Sequence, residues 1–222
     1  IVSFLNGKDK KNLSSKDCYI VGKNIAKLHN ASKKLKLYRK NALAVPKLNK
    51  LLFSINKRID KVQKNILFDM RNEYKFLRKT WPKNLNSGII HCDLFIDNIF
   101  FYKRKYYGFI DFYFSANDFL GYELSICINA LCFNKKGTKY FLNKSKSTNL
   151  IKGYESIRKL TNNEKKYFNI LCRGSALRYL LTRAYDYLNT PKDAYIKIKD
   201  PREYIQKLKY HQNINNFKDY LK

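Results

Sequence analysis

Apolar residues recur at helical spacing over residues 17–30 (DCYIVGKNIAKLHN), where Ile20, Val21, Ile25, Leu28 and His29 share a face and Ser15 or Asp17 is available as a cap. His29 then reads as a helix-packing residue. Residues 31–50 are lysine-rich and irregular, with a break at Pro46, and a long amphipathic stretch runs from about Leu48 to Lys79 before Trp81-Pro82 stops it. The period then changes. GII, HCDLFIDN and IFFYKRKYYGFIDFYF place two short Ile-, Phe- and Tyr-rich runs around a KRK turn, which predicts a β-hairpin after a loop. From Asp118 onward the pattern is helical again, with a capping box at Thr161–Glu164 and Pro201 suited to a first helical turn. The opening IVSFL is a short apolar strand ending at Asn6-Gly7. An α+β chain follows, mostly helical and wrapped around one small hairpin, without repeats or low-complexity segments.

At 222 residues and 45% hydrophobic content the chain can bury a sizeable core. No run approaches the roughly 20 apolar residues needed to cross a bilayer, and the first residues lack the charged start and long apolar stretch of a signal peptide, so a cytosolic location is the default expectation. Five cysteines (Cys18, Cys92, Cys127, Cys132, Cys172) sit singly among apolar neighbours, with no CxxC pair and no zinc-ligand spacing; they read as reduced, buried side chains.

The net charge of +29 invites a nucleic-acid reading. It is discounted because lysine greatly outnumbers arginine and is spread along every segment, and because Lys, Asn, Ile, Tyr and Phe are over-used together, as in a coding sequence rich in A and T. There is no arginine-rich stripe and no recognition-helix or RNA-binding signature. The charge is read as a solvated surface that also attracts an anionic ligand such as a nucleotide.

The densest chemistry lies in IIHCDLFIDN, residues 89–98, an H-x-D-x-x-x-x-N pattern followed by a strand pair that delivers Asp111 in IDF. Phosphoryl transfer needs such a set: one carboxylate to orient the acceptor hydroxyl, and an amide oxygen with another carboxylate to hold the magnesium ions that neutralise the triphosphate. The spacing matches the kinase signature H-R-D-L-x-x-x-N with a later D-F-G. Asp97 reads as a turn cap, because Asn98 already fills the metal position. For His91 a base role and packing beneath the loop are both open, with packing favoured. Glu123 is either an exposed helix acid or an acceptor of hydrogen bonds from the loop. Phe100 and Ile110, on the two hairpin strands, form either an apolar floor under the adenine or plain core.

HCDLFIDNIFF, YYGFIDFYFSANDFLGYELSICINALCF and ALRYLLTRAYDY followed by KDPREY resemble the bacterial homoserine kinases of the aminoglycoside phosphotransferase and choline kinase superfamily, from SFLNG to the last helix. The resemblance implies a protein kinase-like fold and ATP-dependent phosphorylation of the L-homoserine hydroxyl, a step of threonine biosynthesis, with ATP and Mg²⁺ as cofactors and no specific nucleic-acid or membrane partner. It implies Asp93 as catalytic base, Asn98 and Asp111 as magnesium ligands, and Ser3, Phe4 and Leu5 in a hinge strand (1–8) beside the adenine, with 9–222 as the helical C-terminal lobe. Cys92 stands where glycine or alanine is usual, Ile96 where proline is common, and Glu123 where aspartate is more usual.

The alternatives are another small-alcohol kinase, acting on choline or an aminoglycoside, or an inactive remnant. A kinase of this fold needs a β-rich lobe before the hinge, with a phosphate-covering loop and a lysine. None is present, so the chain reads as a fragment, and on its own it is expected to transfer no phosphate at a useful rate. A homoserine pocket must meet both an ammonium and a carboxylate. Asn117 and Asp118, and Arg178 and Arg183 on ALRYLLTRAYDY, are the candidates; the bland reading pairs those arginines with Asp186 or Glu123.

Overall fold

A computed structural model describes residues 5–191, 193–195 and 198–222. The helices are α1 (Ser15–Ser32), α2 (Asn49–Ser54), α3 (Ile66–Thr80), α4 (Leu120–Leu131), α5 (Lys144–Glu155), α6 (Asn162–Asn189) and α7 (Arg202–Gln212). The strands form three antiparallel pairs: β1 (Ser87–Ile90) with β4 (Ala116–Phe119), β2 (Ile99–Tyr102) with β3 (Lys105–Phe109), and β5 (Phe133–Lys136) with β6 (Lys139–Leu142).

The predicted hairpin is β2–β3, turned by Lys103 and Arg104, both at positive φ. The α+β, mostly helical class stands. Three local expectations do not. The first helix is capped by Ser14 rather than Ser15 or Asp17; Asp17 is instead the reciprocal partner, its carboxylate accepting from the Ser14 amide at 2.9 Å. The stretch from Leu48 to Lys79 is not one helix, because Asn56 caps a short 3₁₀ segment (Lys57–Lys61) and Asp60 accepts the Leu67 amide at 3.0 Å, restarting the chain as α3. Residues 133–142 form a hairpin instead of continuing a helix: Gly137 takes φ +59° at the turn, and the flanking FNKK and KYFL runs pair residue by residue.

α4 is buried all round and divides the interior. Leu120, Tyr122 and Ile126 pack into an apolar cluster with α2, α3, α6 and α7, while Leu124, Cys127, Ile128 and Leu131 pack into a second with α1, α5 and β2. This is why ELSICINALCF carries no polar stripe: neither side of the helix meets water. All five cysteines are free and buried within this core. Among the described residues no helix is long and apolar enough to cross a membrane.

α1 and α5 meet through a pair of glycines. A Cβ on Gly22 would lie 2.0 Å from the Leu150 carbonyl oxygen, and one on Gly153 would lie 2.0 Å from that of Tyr19, so each helix offers a bare backbone to the other. His29 closes the same contact, its Nδ1 lying 2.9 Å from the Tyr154 hydroxyl. Across the molecule, His211 lies 2.9 Å from the Tyr220 hydroxyl through Nδ1 and 3.0 Å from Asn129 Oδ1 through Nε2, which ties α7 to α4 and the C-terminal turn.

Two predictions follow from this packing. Gly22→Ala and Gly153→Ala should each destabilise the protein by about 1–3 kcal/mol in a urea titration, overriding the gain of about 1 kcal/mol that alanine offers a helix; an unchanged or raised midpoint would refute the close approach. Burial also pushes the His29 and His211 imidazoles down to about 3. The unfolded chain protonates them below about 6.5, so the unfolded state binds the extra protons and stability is lost as pH falls from there toward 3. Each should contribute a loss of about 2 kcal/mol between pH 7 and pH 5. In His211→Asn that acid sensitivity should shrink; a slope equal to that of the wild type would show the ring is not held neutral.

Candidate active site

β1 leads into the H-x-D-x-x-x-x-N loop and β4 leads into α4, and because the two strands pair (Ile90 opposite Ala116) the loop and the first turn of α4 emerge side by side. Glu123, in that turn, is fully buried, and its Oε2 accepts the amides of His91 and Cys92, the latter at 3.1 Å. Of the two readings of Glu123, the exposed acid is excluded. Burial pushes its carboxyl up to about 7, against the pull of the two amides. Its Oε1 has no partner among the described residues.

The other side of the loop peptide is held from α6. The Cys92 carbonyl accepts from Arg178 Nη1 at 2.8 Å and from the Tyr179 hydroxyl at 2.9 Å. Cys92 itself has φ +69°, a left-handed conformation that glycine adopts without cost and other residues adopt with strain. His91 packs beneath the loop, as favoured above. Its Nδ1 accepts the Asp93 amide at 3.3 Å and its Nε2 donates to the Ile110 carbonyl at 2.8 Å, a neutral tautomer that agrees with burial lowering its pKa. The same bond fastens the loop to the end of the hairpin, one residue before Asp111.

Asp93 is half-buried, and burial raises its pKa while Arg178, Tyr179 and His91 pull it back. The Tyr179 hydroxyl, whose one proton is shared between the Cys92 carbonyl and this carboxylate, lies 3.1 Å from Oδ1, and Oδ2 has no partner among the described residues. Asn98 folds back so that Nδ2 donates to the Asp93 carbonyl at 2.8 Å, and its Oδ1 has no partner among the described residues. The Ile110 amide donates to the Asn98 carbonyl at 3.1 Å, so Asp111, exposed and at φ +60°, stands beside Asn98. Among the described residues no three His, Cys, Asp or Glu side chains cluster to hold a metal on their own. One carboxylate with one amide oxygen fits a magnesium ion whose remaining ligands are water and phosphate oxygens.

Ser3 and Phe4 lie outside the described residues. Leu5 covers Gly108, where a Cβ would lie 2.8 Å from its side chain, and Gly108 pairs with Phe100. Phe100 alternates with the buried Ile99 and Phe101, which puts it with Leu5 on the hairpin face turned away from the core; Ile110, two residues beyond Gly108, falls on that side as well. Lys8 bonds to Phe101 in both directions, at 3.1 and 2.9 Å, keeping the opening segment against β2.

The four candidate acceptor contacts separate. Only Arg183 lines the cavity of about 360 Å³ that opens on Asp93, together with Phe95, Asp97, Tyr179, Asp186 and Lys199. Arg178 is 1% exposed and turned under the loop, where it supports the Cys92 carbonyl, and it makes no ion pair with Glu123. Asn117 Oδ1 accepts the Arg39 amide at 2.8 Å, and Asp118 accepts from Asn41 at 2.6 Å; both hold the segment at 39–41 against β4, away from the cavity. Among the described residues Asp97 caps nothing with its side chain, contrary to expectation, and it is an exposed wall of the cavity. Tyr179 and Asp186 were missed as site residues, although their spacing of four and three residues on either side of Arg183 puts all three on one helix face.

Residues 1–156 match the model of the phosphotransferase enzyme family. Over 220 residues, 99% of this chain, the sequence is 44% identical to a homoserine kinase of Agrobacterium fabrum and 42% identical to one of Rhizobium etli, covering 67% and 68% of those proteins. The chain thus spans about two thirds of the length of these curated relatives. Among solved structures it resembles an ethanolamine kinase of Plasmodium vivax, with a TM-score of 0.67 and 18% identity over 99% of this chain and 65% of the other. A choline/ethanolamine kinase family protein of Mesorhizobium loti gives 0.63 and 14%, over 99% and 72%. These likenesses show the kinase-like fold, and the family model with the curated relatives shows the lineage: the chain belongs to the phosphotransferase enzyme family, on the branch of the homoserine kinases.

Proposed function

We propose that the protein is an ATP-dependent kinase that phosphorylates the side-chain hydroxyl of L-homoserine, and that the site built on Asp93 performs the transfer. The observation that carries this reading is Asp93 Oδ2, without a partner among the described residues, at the edge of a cavity, on the same loop as Asn98 and next to Asp111. The 44% identity to a homoserine kinase across nearly the whole chain supports the choice of acceptor.

In this reading Asp93 orients the acceptor hydroxyl and takes its proton on Oδ2. The hydroxyl oxygen bonds to the γ-phosphorus as the bond to the β–γ bridging oxygen breaks, and ADP leaves. Tyr179 fixes the carboxylate through Oδ1. Asn98 Oδ1 and the Asp111 carboxylate would hold Mg²⁺, which when bound neutralises charge on the β- and γ-phosphates. Leu5, Phe100 and Ile110 supply an apolar face for the adenine. Positioning is most of what a kinase contributes, so the clamp on the loop, Glu123 on one side and Arg178 with Tyr179 on the other, matters as much as the reacting carboxylate.

The test is ADP release by the enzyme at its full natural length with homoserine, choline, ethanolamine and an aminoglycoside offered in parallel. Turnover with one of the others and none with homoserine would sink the proposal. Asp93→Asn should lower kcat by about 10²–10⁴-fold, equivalent to roughly 3–5 kcal/mol of barrier, with nucleotide affinity nearly unchanged. Asp111→Asn should instead raise the Mg²⁺ concentration needed for half-maximal rate. Near wild-type turnover in Asp93→Asn would remove Asp93 from the reaction.

A further inference from the structure

The cavity beside Asp93 carries opposite charges in a fixed order. Its wall is the face of α6 that shows Tyr179, Arg183 and Asp186, and at about 360 Å³ it lies at the small end of ligand pockets. An acceptor held there with its hydroxyl at Asp93 meets a guanidinium and then, three residues further along the same helix, a carboxylate.

The two charges are mounted differently. Arg183 is 7% exposed and immobilised from behind: Nη1 donates to Glu203 Oε2 at 2.7 Å and to the Asp200 carbonyl at 3.2 Å, and the guanidinium carbon lies 4.5 Å from the centre of the Tyr204 ring. Glu203 is gripped on its other oxygen by Lys207, itself 2% exposed, whose Nζ also donates to the Asn129 carbonyl at 2.6 Å. This spends Nη1 on the scaffold and leaves the Nε–Nη2 edge, the one that can hold a carboxylate through two parallel hydrogen bonds, without a partner among the described residues. Asp186 is exposed at the cavity wall and, among the described residues, pairs with neither arginine and is held by no ion pair. Lys199 also lines the cavity, but its ammonium rides over the Phe95 ring at 5.2 Å on an exposed segment and offers a mobile point charge rather than a fork.

Resting on the activity proposed above, we infer that this face of α6 reads the acceptor as a zwitterion: Arg183 binds the α-carboxylate, Asp186 binds the α-ammonium, and Glu203 is the positioning residue that aims Arg183. A plain amino alcohol would leave Arg183 unanswered, and a plain hydroxy acid would leave Asp186 unanswered. Acceptor choice is then set by charges on one helix rather than by the shape of the loop.

The experiment uses the full-length enzyme with homoserine and two truncated acceptors, 3-aminopropan-1-ol, which lacks the carboxylate, and 4-hydroxybutanoate, which lacks the ammonium. Arg183→Lys should raise the KM for homoserine by about 10- to 100-fold while leaving the KM values for 3-aminopropan-1-ol and for ATP within about twofold. Asp186→Asn should raise the KM for homoserine and leave that for 4-hydroxybutanoate unchanged, and because Asp186 is exposed this variant folds whatever happens to Arg183. Glu203→Gln should raise the homoserine KM with kcat retained, and Glu203→Asp should recover part of the loss. If the wild type does not phosphorylate homoserine, the proposed activity and this inference fall together. If it does, and each variant weakens homoserine and both truncated acceptors alike, the activity stands and this inference is overturned.

Discussion

The fold depends on one buried carboxylate. Glu123 sits in water-free surroundings at the start of α4 and accepts the amides of His91 and Cys92, so the strand β1 cannot continue past Ile90 and must turn into the loop at that point. An ionisable group in such a place is costly unless it is paired, and here the pairing is with backbone rather than with a counter-ion. Arg178 lies nearby but spends its hydrogen bond on the Cys92 carbonyl, so Cys92 is held at its amide by α4 and at its carbonyl by α6. That double grip holds Cys92 at a positive φ without glycine, and it sets the direction in which Asp93 leaves the loop. The glutamate side chain reaches two successive amides from a helix that is itself wedged between both halves of the core.

Much of this was legible in the sequence because it is local. The HCDLFIDN spacing, the hairpin around KRK, the capping box at Thr161 and the proline opening α7 each follow from neighbours a few residues apart. What could not be read depends on individual side-chain hydrogen bonds or on contacts across the chain. Asn56 and Asp60 break the amphipathic run by hydrogen bonds that local periodicity does not reveal. FNKKGTKYFL becomes a hairpin that also leans on α7, where Gln206 accepts the Tyr140 amide at 2.9 Å. The site divides in the same way. Asp93, Asn98 and Asp111 announce themselves by order and type, whereas sorting Arg178 from Arg183 requires knowing which face of α6 meets the loop. Both are arginines in a lysine-rich chain, yet one is a strut for a carbonyl and the other borders a cavity.

The charge distribution has a matching logic. Among the described residues, Arg158, Arg173, Arg178 and Arg183 are drawn inward, each fixed by a carboxylate or carbonyl: Arg158 on Glu164 at 2.7 Å, and Arg173 in a two-pronged pair with Glu73 at 2.7 Å through each nitrogen. Those planar groups suit burial because a fork satisfies several donors at once. The lysines mostly remain outside as a hydrated coat, which carries most of the positive charge behind the net +29.

Among the described residues Lys207 is the exception, and it makes the molecule convenient to watch. It lies 2% exposed between α7 and α4, with its ammonium lodged on Glu203 and the Asn129 carbonyl, and burial lowers its pKa. An amine-reactive reagent would consume the solvated lysines within its first exposure and reach Lys207 only when α7 swings off α4. The rate at which that amine acquires label is therefore a clock for local opening behind Arg183, read by mass spectrometry without any change to the sequence.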